Sequence, residues 1–176
     1  MTTTTDFFHA ILGGATPNGI SSLLFGAFPE TEYDSWVTIG LDGIPDALGG
    51  EAGVSTVQSG INPWTTTFEP GPGLPGGNIV IDDAIGGAWY ALNGDANGFA
   101  GEDLKVLVGQ FTTTGDISGQ LYTQIFINGN GADQYLETFA FNYSIGTVGC
   151  TNADACSFVV GLDESREDGS CIVPAE

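Results

Sequence analysis

The sequence predicts an all-β fold, an antiparallel β-sandwich of the jelly-roll or immunoglobulin-like type. Short apolar runs recur roughly 8 to 20 residues apart, with Gly, Pro, Asn and Asp between them. No stretch between these runs has the length of about ten residues that the helices of a parallel α/β sheet need. The chain also contains 28 Gly and 8 Pro in 176 residues, a composition that favours turns over helices.

Six runs carry the strand pattern. They are residues 35–41 (SWVTIGL), 78–81 (NIVI), 88–92 (AWYAL), 104–113 (LKVLVGQFTT), 119–128 (GQLYTQIFIN) and 136–145 (LETFAFNYSI). The last run alternates Phe139, Phe141 and Tyr143 with smaller or polar residues, which is typical of a strand with one apolar face. Residues 62–77 (NPWTTTFEPGPGLPGG) are too rich in Pro and Gly for a central strand, so we expect a long surface loop there.

The apolar positions of these runs predict the core and the domain boundary. The expected core consists of Trp36, Val37, Ile39, Val80, Trp89, Val106, Val108, Phe111, Ile125, Phe139 and Phe141. The sandwich is predicted to span residues 1–149. Residues 150–176 are rich in carboxylates and Cys and poor in strand pattern, so they are predicted to form a separate linker or repeat module.

The charge of the chain excludes several classes of partner. With 2 basic and 22 acidic side chains, the formal net charge is −20. Such a surface repels phosphate backbones and anionic lipid headgroups, which argues against nucleic acid and simple membrane adsorption. No apolar run approaches the ~18 to 20 residues that cross a bilayer, so no membrane insertion is predicted. Lys105 and Arg166 are the only bases, so most carboxylates are expected to be solvated or bound to cations.

The cysteines indicate an extracellular or cell-surface location. Cys150, Cys156 and Cys171 all lie in the C-terminal segment, and in a secreted chain such a cluster is typical of a small stapled segment. Reduced structural thiols are the alternative. A Cys150–Cys171 or a Cys156–Cys171 disulfide would leave one thiol to link to a neighbouring chain or module. Residues 1–14 show no signal peptide, so we expect a segment of a longer polypeptide or a chain whose leader has been removed.

The C-terminal segment carries the most specific motif. GCTNADACSF, followed by an acidic stretch and DGSC, resembles the repeat GCTDxxACNYxxxAxxDDGSC of large secreted and surface proteins of marine Bacteroidetes. The matching positions are Gly149, Cys150, Thr151, Ala155, Cys156, Phe158, Asp168, Gly169, Ser170 and Cys171. Ser157 stands where Asn is usual, and Val159 and Val160 are additional apolar residues.

The preceding residues resemble secreted β modules of the same group of proteins. The resemblance is carried by residues 32–41 (EYDSWVTIGL), 86–90 (GGAWY) and 106–119 (VLVGQFTTTGDISG). It implies a module of a long, repetitive extracellular protein and brings no enzymatic activity with it.

Two segments are candidate calcium sites. Residues 93–98 (NGDANG) reproduce positions 1, 3, 5 and 6 of a calcium loop, although Leu104 stands at the twelfth position, where Glu is expected. The candidate ligands there are Asn93, Asp95, Asn97 and Asp103. A polar Asn/Gly turn is the alternative interpretation.

The second candidate calcium site lies in the C-terminal segment. Its proposed ligands are Asn152, Asp154, Asp163 and Asp168. A disulfide that closes this segment would lower the entropy cost of gathering carboxylates that repel one another. A solvated acidic linker is the alternative.

Catalysis finds little support in the sequence. His9 is the only histidine, so no Ser-His-Asp or Cys-His arrangement is convincing, and the cysteines with one distant histidine do not match a zinc site. The chain is therefore predicted not to be an enzyme. A hydrolase that uses one pair among the 22 acidic residues is the third class of function considered.

The predicted function is that of a structural or adhesive module. Long strands such as residues 119–128 would allow it to assemble with copies of itself or with neighbouring modules into a fibre or array. The alternative is a calcium-assisted carbohydrate-binding module. In that hypothesis Trp64, expected to be partly exposed in the Pro-rich loop, stacks on a sugar ring.

Overall fold

Antiparallel strands provide most of the regular structure of residues 1–144, the part of the chain that the computed structural model describes. The strands are β1 (Thr2–Thr3), β2 (Trp36–Val37), β3 (Ser55–Val57), β4 (Ala88–Tyr90), β5 (Gly109–Gln110), β6 (Ile117–Phe126) and β7 (Gln134–Tyr143). One α-helix, α1 (Trp64–Phe68), lies between β3 and β4. Five short 3-10 helices span Pro17–Gly19, Ser22–Leu24, Pro29–Tyr33, Ala96–Gly98 and Ile127–Gly129. No helix in this part of the chain is long and apolar enough to cross a membrane.

The strands form three small sheets. β1, β6 and β7 form a three-stranded sheet in that order, while β2 pairs with β5 and β3 pairs with β4. The register places Thr3 opposite Ile117 and Thr56 opposite Trp89. Residues 1–144 are therefore all-β with antiparallel pairing, as predicted. The finer prediction of a sandwich is not confirmed, because the sheets have only three, two and two strands. The predicted boundary at residue 149 and the predicted 150–176 module lie outside the described residues.

The sequence located the long strands better than the short ones. β6 and β7 each begin two residues before the predicted runs, which start at residues 119 and 136. β6 begins earlier because Ile117 pairs with β1, a contact between distant parts of the chain that local pattern does not reveal. Residues 78–81 form no strand, and β1 and β3 were not predicted.

The core lies among loops rather than between two sheets. It is formed by Phe7, Val37, Trp64, Phe68 and Ile79. The edge of the Phe7 ring packs on Phe68, with ring centroids 5.5 Å apart. The prediction was right for Trp36 and Val37, which are buried. It was wrong for Val80, Val108, Ile125 and Phe139, which are exposed. These four side chains have no second layer of residues 1–144 over them, whereas the prediction assumed a facing sheet.

The Pro-rich segment 62–77 supplies part of this core, contrary to the prediction of a surface loop. α1 places Trp64 and Phe68 four residues apart on one face, and both side chains are buried. Trp64 is 1 % exposed, and its indole Nε1–H donates to the Val57 carbonyl at 2.9 Å. Its ring also packs on Trp89, with centroids 5.8 Å apart. The prediction that Trp64 is exposed for sugar stacking is therefore wrong.

Candidate functional site

The predicted calcium loop of residues 93–98 is braced by its own side chains. Asn97 is buried. Its Oδ1 accepts a hydrogen bond from the Ala52 N–H at 3.0 Å, and its Nδ2 donates to the Ile39 carbonyl at 2.7 Å. Asp95 Oδ2 accepts the Leu92 N–H at 2.8 Å. Asn97 thus holds two loops together, which gives it a structural role that the calcium prediction did not foresee.

The other proposed ligands lie nearer the surface. Asn93 and Asp103 are exposed and Asp95 is half-buried. Asp103 Oδ1 accepts the Lys105 N–H at 3.2 Å. Within residues 1–144, no three His, Cys, Asp or Glu side chains are close enough together to hold a metal ion. Calcium binding by this loop stays a prediction.

A surface groove of about 550 Å³ lies beside this loop. Asn97 and Asp103 line it together with Glu51, Lys105 and the exposed Phe99. The groove combines an aromatic ring, two carboxylates and one of the two bases of the chain. This mixture of apolar and polar groups is the kind that binds small polar ligands.

The C-terminal candidates lie outside the described residues. They are the proposed calcium ligands Asn152, Asp154, Asp163 and Asp168 and the proposed disulfide cysteines Cys150, Cys156 and Cys171. Their predicted roles stay predictions.

His9, the only histidine of the chain, is buried. Its Nδ1 lies 3.3 Å from Asp34 Oδ1, and both side chains are fully enclosed. Asp34 also accepts the Ala10 N–H at 2.8 Å and the Gly14 N–H at 2.9 Å. Neither ring nitrogen of His9 has a hydrogen-bond partner among residues 1–144, and the Phe68 ring packs against the imidazole at a centroid distance of 4.9 Å. This geometry holds residues 8–14 against the core.

β6 and β7 form a hairpin that we call the arm (residues 117–142). The chain reverses at Asn128 and Gly129, whose φ angles of 51° and 68° lie in the left-handed region that Asn and Gly tolerate best. The Ile127 N–H donates to the Asp133 carbonyl at 2.9 Å and closes the turn. The arm is attached to the rest of the chain at its base, where Ile117 packs against the core.

Both faces of the arm carry apolar side chains that solvent reaches. Odd-numbered residues share one face, because a methyl group on Gly119 would lie 3.0 Å from Cζ of Phe141. On this face Ile125 is 52 % exposed and Phe139 is 50 % exposed. On the opposite face Tyr122 is 68 % exposed. Exposed apolar patches of this kind mark interaction surfaces.

The arm is also nearly free of charge. The two ten-residue strands contain one ionised side chain, Glu137, in a chain with a net charge of −20. The Tyr135 hydroxyl donates to Glu137 Oε2 at 3.0 Å. This hydrogen bond and the negative charge of Glu137 raise the pKa of Tyr135 above its ordinary value. The arm is therefore a surface on which the repulsion between copies of this acidic chain is small.

The chain matches no protein-family model, no curated protein and no solved structure. The candidate sites are therefore inferred from the residues and their geometry. Sequence reasoning found the two strands of the arm but assigned Ile125, Phe139 and Phe141 to the core. The near-absence of charge over both strands was the available signal for an assembly surface. The exposure of both faces became visible only in three dimensions.

Proposed function

We propose that this chain is a structural or adhesive module of an extracellular surface protein. It assembles with copies of itself, or with neighbouring modules of a longer chain, into a fibre or array. The observation that supports this function best is the arm, a long hairpin with half-exposed apolar side chains on both faces and a single charged side chain in its two strands.

The stability of a two-stranded ribbon explains why the arm needs a partner. An isolated hairpin is marginally stable in water, and three or more strands with a covered apolar face are usually required. In residues 1–144 the only additional strand is β1, which pairs with Ser118 and Ile117 at the base of the arm. Assembly would cover apolar side chains of the arm such as Ile125 and Phe139, which are exposed.

Charge screening sets the conditions in which assembly occurs. Two chains of net charge −20 repel each other over a Debye length of about 30 Å at 0.01 M salt but only about 3 Å at 1 M salt. Association is therefore expected to grow with ionic strength, as in a marine extracellular setting. Bound Ca²⁺ would act in the same direction, and inter-module disulfides would stiffen the joints. A β-sandwich stays part of this proposal, because a second sheet facing the first would cover its apolar side chains.

Sedimentation velocity on the full chain tests this function. The protein is compared at about 0.01 M and about 1 M NaCl, with calcium or with chelator, and with and without a reducing agent. We expect the average mass to rise with protein concentration and with salt. An increase in mass that persists in the presence of the reducing agent indicates non-covalent association rather than disulfide linkage. A monomer under every condition would overturn the proposal.

The groove beside residues 93–98 favours one alternative, a calcium-assisted carbohydrate-binding module. Phe99 offers an exposed ring beside Glu51 and Asp103, and an aromatic platform beside polar groups is suited to sugar binding. Glycan-array binding with calcium and with chelator tests it. Phe99→Ala should abolish binding, whereas Phe28→Ala, at an exposed ring that does not line the groove, should not. Absence of glycan binding by the parent chain would count against this alternative.

A further inference from the structure

We propose that the outer edge of β7 pairs antiparallel with β7 of a second copy of this chain. The sheets of the two copies then join into one sheet in the order β1-β6-β7-β7-β6-β1. This inference rests on the proposed assembly function and names both the contact surface and the partner.

The hydrogen bonds at the two ends of the arm show which backbone groups face outward. The Thr4 N–H donates to the Asp116 carbonyl at 3.0 Å, in register with the Thr2–Ser118 pair. Even-numbered residues of β6 therefore direct their backbone groups toward β1, and odd-numbered ones toward β7. At the turn, the hydrogen bond from the Ile127 N–H to the Asp133 carbonyl also joins two odd-numbered residues.

In β7 the odd-numbered residues accordingly pair with β6. The N–H and carbonyl groups of Leu136, Thr138 and Ala140 point away from β6, toward the outer edge. Within residues 1–144, β7 has one strand neighbour, β6. The outer edge thus presents a row of backbone donors and acceptors that a further strand would satisfy.

This edge has few of the features that prevent pairing between molecules. Natural edge strands are protected by Lys, by Pro, by inward-pointing charges or by short length. β7 has ten residues and contains neither Lys nor Pro, and its only charged side chain is Glu137. At about 3.4 Å per residue it extends for roughly 34 Å. It is therefore a long template for strand addition.

A second copy fits the edge better than a basic partner does. Antiparallel pairing of identical strands is two-fold symmetric, so each copy supplies the same surface. One carboxylate per strand gives little attraction for a cationic partner. A register centred on Phe139 would place Glu137 opposite Phe141 of the other copy and keep the two carboxylates from lying opposite each other.

With the same register, the apolar face of one arm continues into that of the other copy. Because even-numbered residues lie opposite even-numbered ones, the odd-numbered side chains of both copies share one side of the sheet. Ile125 and Phe139, each about half exposed in the single arm, then belong to one apolar layer. Beyond the short β1, two marginal ribbons then belong to one larger sheet, and three or more strands with an apolar face are what independent stability requires.

Amide hydrogen exchange on the full chain tests the pairing without any substitution. At high salt and increasing protein concentration, the amides of Leu136, Thr138 and Ala140 should become protected by at least about tenfold. If the mass rises while these amides stay unprotected, the assembly function stands and the edge pairing is wrong. Protection that is independent of concentration would mean that the chain covers its own edge, which also overturns the inference. Absence of association overturns both proposals.

A matched pair of variants gives a second test. Thr138→Pro removes one outward N–H and leaves the hydrogen bonds between β6 and β7 in place. Thr138→Val keeps the N–H and a β-branched side chain. The proline variant should weaken association by at least about tenfold, while the valine variant should associate as the parent does. Equal association of the parent and a folded proline variant, judged by near-ultraviolet circular dichroism, would overturn the edge pairing.

Discussion

The arm and the core region of this chain are held together in opposite ways. Around Phe7, Trp64 and Phe68 the side chains are fully buried, although the regular elements there, such as α1 and β2, are only two to five residues long. In the arm the backbone is almost entirely strand, yet every residue of β7 except Phe141 is exposed. The longest regular strands and the deepest burial therefore occur in different parts of the same molecule.

Side-chain amides and carboxylates replace sheet ladders in the core region. Asn18 accepts the Val54 N–H at 2.8 Å and donates to the Val54 carbonyl at 2.9 Å, so one side chain substitutes for a strand neighbour. The side chains of Asp34 and Asn97 likewise form hydrogen bonds with backbone groups of other loops. The comparison teaches that an irregular backbone is stable when polar side chains satisfy it around an aromatic core. A regular ribbon without burial needs a partner.

The largest effect is expected at the centre of the core. Trp64→Ala removes a buried indole and its hydrogen bond to Val57, which should lower the free energy of unfolding by about 3 to 5 kcal/mol. Tyr122→Ser, on the arm, should change it by no more than about 0.5 kcal/mol because this side chain is exposed. Urea denaturation of both variants measures the difference. Equal destabilisation would break the distinction between the two regions.

The second effect concerns the buried carboxylate. Asp34→Ala leaves the Ala10 and Gly14 amides without their acceptor and His9 without its neighbour, so the loss should be about 3 kcal/mol. Asp82→Ala, at an exposed position, should be nearly neutral. The same denaturation measurement applies. A nearly neutral Asp34→Ala would show that packing alone holds residues 8–14.

A smaller effect distinguishes a structural role of the Asn97 side chain from a role in calcium binding. Asn97→Ala should destabilise the chain by about 2 kcal/mol, because it leaves the Ala52 N–H and the Ile39 carbonyl unsatisfied. Asn93→Ala, at an exposed position, should have little effect in the absence of calcium. Thermal denaturation with chelator and with calcium measures both variants. A calcium-dependent stabilisation that Asn93→Ala removes would support the predicted calcium loop.

The smallest effect is local to the arm. The hydrogen bond to Glu137, followed by the negative charge of that carboxylate, raises the pKa of Tyr135 above the ordinary value of 10.0. Tyr135 should therefore keep its proton to higher pH than an unperturbed tyrosine. Glu137→Gln should lower this pKa, whereas Glu69→Gln should not. A pH titration followed through the tyrosine ring signals in NMR compares the pKa of Tyr135 in the parent and in the two variants. No change in Glu137→Gln would mean that the pair is not formed in solution.

Sequence pattern was sufficient where structure is local. β6 and β7 were predicted nearly in full because each is a long run of strand-forming residues, and in β7 Phe139, Phe141 and Tyr143 alternate with smaller or polar residues. The pattern failed for α1 because Pro and Gly around Trp64 are typical of loops. It also gave no sign of the structural hydrogen bonds of Asn97, whose two partners lie 45 and 58 residues away along the chain.

The sequence by itself determined the strand-forming class of the chain, its acidity and the two longest strands, because propensity, charge and short-range periodicity are local properties. Only the tertiary structure decided which apolar residues are buried. Ile125 was predicted to lie in the core and Trp64 to be partly exposed, yet Trp64 is enclosed and Ile125 is half exposed. Burial depends on which distant segments cover a residue, and period-2 alternation specifies a face without specifying what packs against it.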